Sequence, residues 1–132
     1  MSEKKPPQIL VVDDNVDNAN IIREYLQSRG YPVTVAYNGD DALEEFERTR
    51  PALVLLDVMM PGLDGWEVCR EMRRHPAIGH SVRIIMVTAL DDWVNKRQAI
   101  QTGADDFVEK PFNLGKLAAT VERNLALVKS AP

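Results

Sequence analysis

Residues 53–65 read LVLLDVMMPGLDG: an apolar run stops at one carboxylate, Asp57, and two methionines, a proline and a glycine follow. Consecutive branched aliphatic residues bounded by turn formers are the pattern of a strand covered on both faces, as in a parallel sheet with helices on either side. A strand held in that way gives its last side chain little freedom. Asp57 is therefore delivered to a set place at the strand's end.

Working outward, residues 52–56 are the third of five short apolar runs, the others being 8–12, 33–37, 82–87 and 105–109. Between them lie segments of helical periodicity at 16–29, 39–48, 64–75, 93–102 and 113–128. The first places Ala19, Ile22 and Leu26 on one face and closes at Gly30. The second carries Ala42, Leu43 and Phe46, and Pro51 stops it; the third turns Val68, Cys69 and Met72 inward. The fourth ends at Gly103, and the last starts at Asn113, a good N-cap, with Leu117, Val121, Leu125 and Val128 inward. Strict β-α alternation predicts an α/β fold, a doubly wound five-stranded parallel sheet with right-handed crossovers.

Composition agrees with one domain. The chain has 132 residues, 45% of them hydrophobic and 27% charged, which suffices for a single core. The expected division is a disordered lead-in over residues 1–7, one domain over 8–128, and a tail or the start of a linker over 129–132. No apolar run approaches the roughly 18 residues of a membrane span, and MSEKKPPQ lacks the apolar stretch of a secretory signal. A lone cysteine, Cys69, makes no internal disulfide, which favours a reducing, cytoplasmic setting. A net charge of −4 gives no electrostatic case for nucleic acid as a direct partner, and attention turns to protein partners.

Ligands of open α/β sheets bind beyond the carboxyl ends of the strands. Asp13, Asp14 and Asn15 follow the first run, Asp57 the third, Thr88 the fourth, and Lys110 and Pro111 the fifth. Three acids, a hydroxyl and a lysine thus gather on one edge. Two carboxylates about 4 Å apart repel by about 1 kcal/mol in water and about 4 kcal/mol at a protein-like effective dielectric. The cluster therefore calls for a cation or raised pKa values, and an all-oxygen set suits Mg²⁺. Capping of the first helix needs only one of Asp13, Asp14 and Asn15. A positioned carboxylate can attack phosphorus and form an aspartyl phosphate, a reaction that asks mainly for positioning and charge neutralisation.

On these residues the chain resembles the receiver domain of two-component response regulators over about residues 7–128. The resemblance rests on ILVVDDN, LVLLDVMMPGLDG, IIMVTAL and GADDFVEKPF in this order and spacing. It implies a (βα)5 flavodoxin-like, CheY-like fold with strand order 2-1-3-4-5, an order that periodicity alone does not supply. It implies Asp57 as phosphoacceptor, receiving a phosphoryl group from a sensor histidine kinase or phosphotransfer protein. The implied cofactor is Mg²⁺ or Mn²⁺. Asp14 would be a direct ligand, Asp13 would act largely through metal-bound water, and Asp57 and the backbone carbonyl of Met59 would complete the set. Lys110 would pair with a phosphoryl oxygen, with a cis peptide to Pro111. Thr88 would hydrogen-bond the phosphoryl group and Phe107 would follow it inward. The fourth helix, fifth strand and fifth helix would then present an altered surface to a downstream effector, an attached output domain or a second copy in a phosphorylation-dependent dimer. Such a domain phosphorylates and dephosphorylates itself without being a turnover enzyme; neither nucleic acid nor membrane is a direct partner.

Two departures matter. Phe107 stands where many members carry tyrosine, so no hydroxyl is there to bond outside. Met59 and Leu90, two residues beyond Asp57 and Thr88, are apolar at positions that in the family tune phosphate lifetime, and slow self-dephosphorylation is expected. His75 and His80 fall on the far edge, where a solvated loop is expected in preference to phosphohistidine chemistry. Cys69 is expected in the core. Trp66 opens the third helix near Asp57, either as packing or as a fluorescent reporter, and Trp93 is either a partner anchor or structural. Three rival readings are weaker. A haloacid-dehalogenase phosphatase needs a second acid where Met59 stands, and a flavin carrier's phosphate loop would be repelled by Asp13 and Asp14. A degenerate receiver would lack site residues that are all present.

Overall fold

The computed structural model describes residues 6–58, 60, 64–89 and 103–129, and the features expected at Met59, Pro61, Gly62, Leu90, Trp93 and the helix at 93–102 lie outside the described residues. Five strands form one parallel sheet: β1 (Ile9–Val12), β2 (Val33–Ala36), β3 (Leu53–Asp57), β4 (Arg83–Ala89) and β5 (Asp106–Lys110). Their order is β2-β1-β3-β4-β5, as the resemblance implied. Among the described residues four helices connect or follow them: α1 (Val16–Ser28), α2 (Gly39–Thr49), α3 (Gly65–Arg73) and the C-terminal helix (Leu114–Lys129). None of the described helices is long and apolar enough to cross a membrane.

The unbroken apolar strands are explained by two cores, one on each face. Ile9, Val11, Leu53, Leu55, Ile85 and Val87 pack under α1 and the C-terminal helix, meeting Ala19, Ile22, Leu26, Leu117, Val121 and Leu125. Leu10, Val12, Val54, Leu56, Ile84 and Met86 face the other way, against Ala42 and Phe46 of α2 and Val68, Cys69 and Met72 of α3. Alternate residues of one strand therefore fill opposite cores. Truncating a central leucine such as Leu55 to alanine removes about 2–5 kcal/mol. Val128, expected inward, is only half-buried, one residue from the end of its helix.

Helix starts are capped by the residues that favour non-helical backbone. The side chains of Asn15, Asn38 and Asp64 accept from the backbone N–H three residues on, and Asn113 Oδ1 accepts from Lys116 N at 2.7 Å. Gly30, at φ 97°, takes the left-handed conformation after α1.

Several ends differ from the sequence expectation. β3, β4 and β5 run past their apolar cores to include Asp57, Thr88 and Lys110, because the ladder continues in register: Asp57 lies opposite Val87, and Thr88 and Ala89 lie opposite Glu109 and Lys110. α3 stops at Arg73 and does not reach His75, since the residue before a proline disfavours helical backbone and Pro76 follows. His75 is no solvated loop residue. Its side chain is 12% exposed, its Nδ1 accepts from the N–H groups of Ala77 and Ile78 at 3.1 and 3.3 Å, and its ring meets Phe46 edge-on. With Nδ1 accepting, the neutral ring carries its proton on Nε2, which lies 2.7 Å from Glu47 Oε1. The glutamate's partners outweigh its small desolvation: hydrogen bonds from Arg50, then His75, hold the Glu47 carboxyl below its ordinary value.

Candidate phosphoacceptor site

The carboxyl edge of the sheet brings five of the expected site residues together. Asp13 leaves β1 with its N–H still bonded to Ala36 O at 3.1 Å, so the residue stays in the sheet's frame. Its Oδ1 accepts from Asn15 N at 2.9 Å. Asn15 itself caps α1 by accepting from Asn18 N at 2.9 Å. Helix capping therefore accounts for Asn15 and leaves Asp13 and Asp14 for another task. Asp13 and Asp57 are buried, at 6% and 3% exposure, whereas Asp14 is exposed.

Asp57 ends β3 and faces Lys110, which ends β5. The Lys110 ammonium donates to both carboxylate oxygens of Asp57 at 3.2 Å. One oxygen each from Asp13, Asp14 and Asp57 lies within 4.8 Å of the others. One lysine does not balance three carboxylates, and the all-oxygen donor set with two buried acids fits a hard divalent cation. Thr88 is 3% exposed, and its Oγ1 is buried without a hydrogen-bond partner among the described residues. A buried hydroxyl normally finds a partner, and the orphaned Thr88 oxygen is thus an unsatisfied polar atom at the carboxyl edge of the sheet.

Phe107 lies opposite Met86 in the sheet and is half-buried against the core shared with α2 and α3. The Lys110–Pro111 peptide is cis. Trp66 is 8% exposed and packs in that same core. Cys69 is buried in it, as core packing requires. His80 is exposed, and both histidines stand at the opposite end of the strands from Asp57.

One residue beside the site carried no expectation. Gly65, first residue of α3, lies against the Asp57–Val58 peptide so closely that a Cβ there would stand 2.4 Å from Asp57 O. The only sequence signal was the glycine in LDG, which reads equally well as part of the turn.

Comparison with known proteins agrees with this geometry. Residues 9–122 match the family model of the response regulator receiver domain. A protein of Chloroflexus aurantiacus J-10-fl described as a response regulator is 34% identical, with a TM-score of 0.86 over 92% of this chain and 99% of that one. The signal receiver domain of a signal transduction histidine kinase from Syntrophus aciditrophicus is 33% identical, with a TM-score of 0.86 over 96% and 95% of the two chains. The Vibrio cholerae chemotaxis protein CheY4 is 29% identical, with a TM-score of 0.84 over 89% and 98%. The phosphatase and flavin-carrier readings give way to these matches. A five-stranded parallel sheet in this order, an acidic edge with a paired aspartate and lysine, and a family match over most of the length lead to one conclusion: the chain belongs to the response regulator receiver domains of two-component signalling.

Proposed function

We propose that this domain accepts a phosphoryl group on Asp57 from a phosphohistidine of a sensor histidine kinase or phosphotransfer protein. Phosphorylation then changes the surface of β5 and the C-terminal helix, together with the helix that the sequence leads one to expect at 93–102, for a downstream effector or an attached output domain. The receiver unit is taken as residues 8–128. The observation that carries this reading is the buried Asp57 carboxylate, gripped by Lys110, beside two further acids and a Thr88 hydroxyl that has no hydrogen-bond partner among the described residues.

In the transfer, a carboxylate oxygen of Asp57 attacks phosphorus while the bond from phosphorus to the imidazole nitrogen breaks. The electron pair leaves on that nitrogen, and the product is an acyl phosphate. Lys110 exchanges its hold on the carboxylate for one on a phosphoryl oxygen, and the Thr88 hydroxyl donates to another. Asp13, Asp14 and Asp57, with the Met59 carbonyl, would hold Mg²⁺ or Mn²⁺, which when bound neutralises the charge spread over the phosphoryl oxygens. The product adds about −1.5 to −2 charge at neutral pH. That charge favours the conformer in which Thr88 and Lys110 close on it, and Phe107 follows through the β4–β5 pair. Only such a differential interaction shifts the two populations.

A protein donor is supported by a groove beside Lys110, lined by Asn18, Ile21, Ile22, Phe112 and Leu114. Ile21 is 52% exposed there, an apolar residue that a docked partner would cover. Met59 and Leu90, both apolar, are proposed to slow attack of water on the acyl phosphate.

A phosphoryl mimic tests the reading. Beryllofluoride with Mg²⁺ stabilises only a folded state that binds it. It is expected to raise the Tm of the wild type and to leave Asp57→Asn unmoved. An unmoved wild type, or an equal rise in both proteins, contradicts the proposal.

A further inference from the structure

The strand that carries Asp57 ends under the first turn of α3, and the contact is tighter than a side chain permits. A Cβ on Gly65 would stand 2.4 Å from the Asp57 carbonyl oxygen, 2.8 Å from Val58 Cα and 3.1 Å from the Asp57 carbonyl carbon. Gly65 is not among the positive-φ glycines. Space, not backbone conformation, therefore demands a glycine here. Its N–H donates to Val58 O at 3.1 Å, while Val58 N donates across the sheet to Val87 O at 3.1 Å. Val58, the residue after the acceptor, is thus held through its N–H by β4 and through its carbonyl by α3.

The helix that does the holding is itself fixed. Asp64, in extended backbone, caps it by accepting from Glu67 N at 3.0 Å. Trp66, Val68, Cys69 and Met72 bury its inner face in the core. The atoms of Asp57 nearest the Gly65 position are its backbone carbonyl oxygen and carbon, so the influence of this seat runs through the backbone that carries the carboxylate.

We propose that Gly65, seated by the Asp64 cap, is a positioning residue for phosphoryl transfer: the first turn of α3 rests on the Asp57–Val58 peptide and sets where the acceptor carboxylate stands. The inference rests on Asp57 being the acceptor. In a variant with a side chain at residue 65, bringing the added Cβ to an ordinary van der Waals distance from Asp57 O moves either helix or strand end by about 1 Å, a displacement that can cost a reacting group about 100-fold.

The test is the rate of Asp57 phosphorylation by acetyl phosphate in saturating Mg²⁺, followed by intact mass across donor concentrations. Gly65→Ala is expected to lower the rate at saturating donor by about 10- to 100-fold with little change in half-saturating donor concentration. Asp64→Ala is expected to lower it several-fold, and Asp64→Asn, which keeps the cap, to restore it. Leu26→Val, a core change beneath α1 on the opposite face of the sheet and outside the groove beside Lys110, controls for lost stability and is expected to leave the rate alone. Should Gly65→Ala fail to fold, the two Asp64 variants decide. Wild-type rates in Gly65→Ala, or equal rates in Asp64→Ala and Asp64→Asn, overturn the inference. A wild type that takes no phosphoryl group, or one that Asp57→Asn matches, instead overturns the assignment of the acceptor on which it rests.

Discussion

At the scale of single residues, Asp13 and Asp57 show chemistry opposing stability. Two buried carboxylates with oxygens within 4.8 Å repel by about 3 kcal/mol at an effective dielectric near 20, and Lys110 offsets only part of this. Asp13→Asn keeps the Oδ1 that accepts from Asn15 N and removes the charge. It is expected to stabilise the protein against urea by about 1–2 kcal/mol without divalent cations. Millimolar Mg²⁺ should shrink or reverse that gain, because an ion held by the proposed acidic site would be held in the folded state only. Urea midpoints with and without Mg²⁺ check this; a destabilised Asp13→Asn in the absence of cations would contradict it. Asp13, Asp14, Asp57, Thr88 and Lys110 were legible as a group because apolar strands announce where their last residues go. Gly65 and His75 were not. The closeness of Gly65 to Asp57 exists only after α3 folds back on β3, and His75 is drawn inward by Phe46 and Glu47 of another helix.

At the scale of elements, the far edge of the sheet is tied by one side chain from the end of α3. Arg73, 20% exposed, donates from Nε to Gly103 O at 2.7 Å and from Nη1 to Gly79 O at 3.1 Å and Val82 O at 2.6 Å. Its Nη2 pairs with Asp105 at the entry to β5. Gly103, at φ +99°, leaves the space this requires, since a Cβ there would stand 3.0 Å from Arg73 Cγ. The tie continues through Arg83 to Asn124 of the C-terminal helix and from Asn124 to Asp106. Burial alone would push the Asp106 carboxyl up, but hydrogen bonds from Arg123, Asn124 and the Phe107 backbone outweigh it and hold the group below its ordinary value. Removing Arg73 leaves three carbonyls and a half-buried carboxylate short of a donor. Arg73→Ala is therefore expected to cost about 3 kcal/mol, read as a lower urea midpoint. A change under about 0.5 kcal/mol, the size of an ordinary surface substitution, would show that water replaces these bonds. Among the described residues, helix and strand existence was legible from periodicity and caps, and their ends were less so. β3, β4 and β5 gained polar residues because parallel pairing depends on the neighbouring strand, which no local pattern reports.

At the scale of the whole molecule, alternation of strands and helices led to a doubly wound parallel sheet, while the strand order came only with the resemblance. The two faces of the sheet could be expected from the unbroken apolar strands; which helices cover which face required the connections. This arrangement is what we propose makes Asp57 a phosphoacceptor. Intact mass after incubation with acetyl phosphate, with and without Mg²⁺, tests it most directly. The prediction is a gain of one phosphoryl group that needs Mg²⁺ and is lost in Asp57→Asn. A wild type that gains none, or an Asp57→Asn protein that gains one at the same rate and stoichiometry, would contradict it.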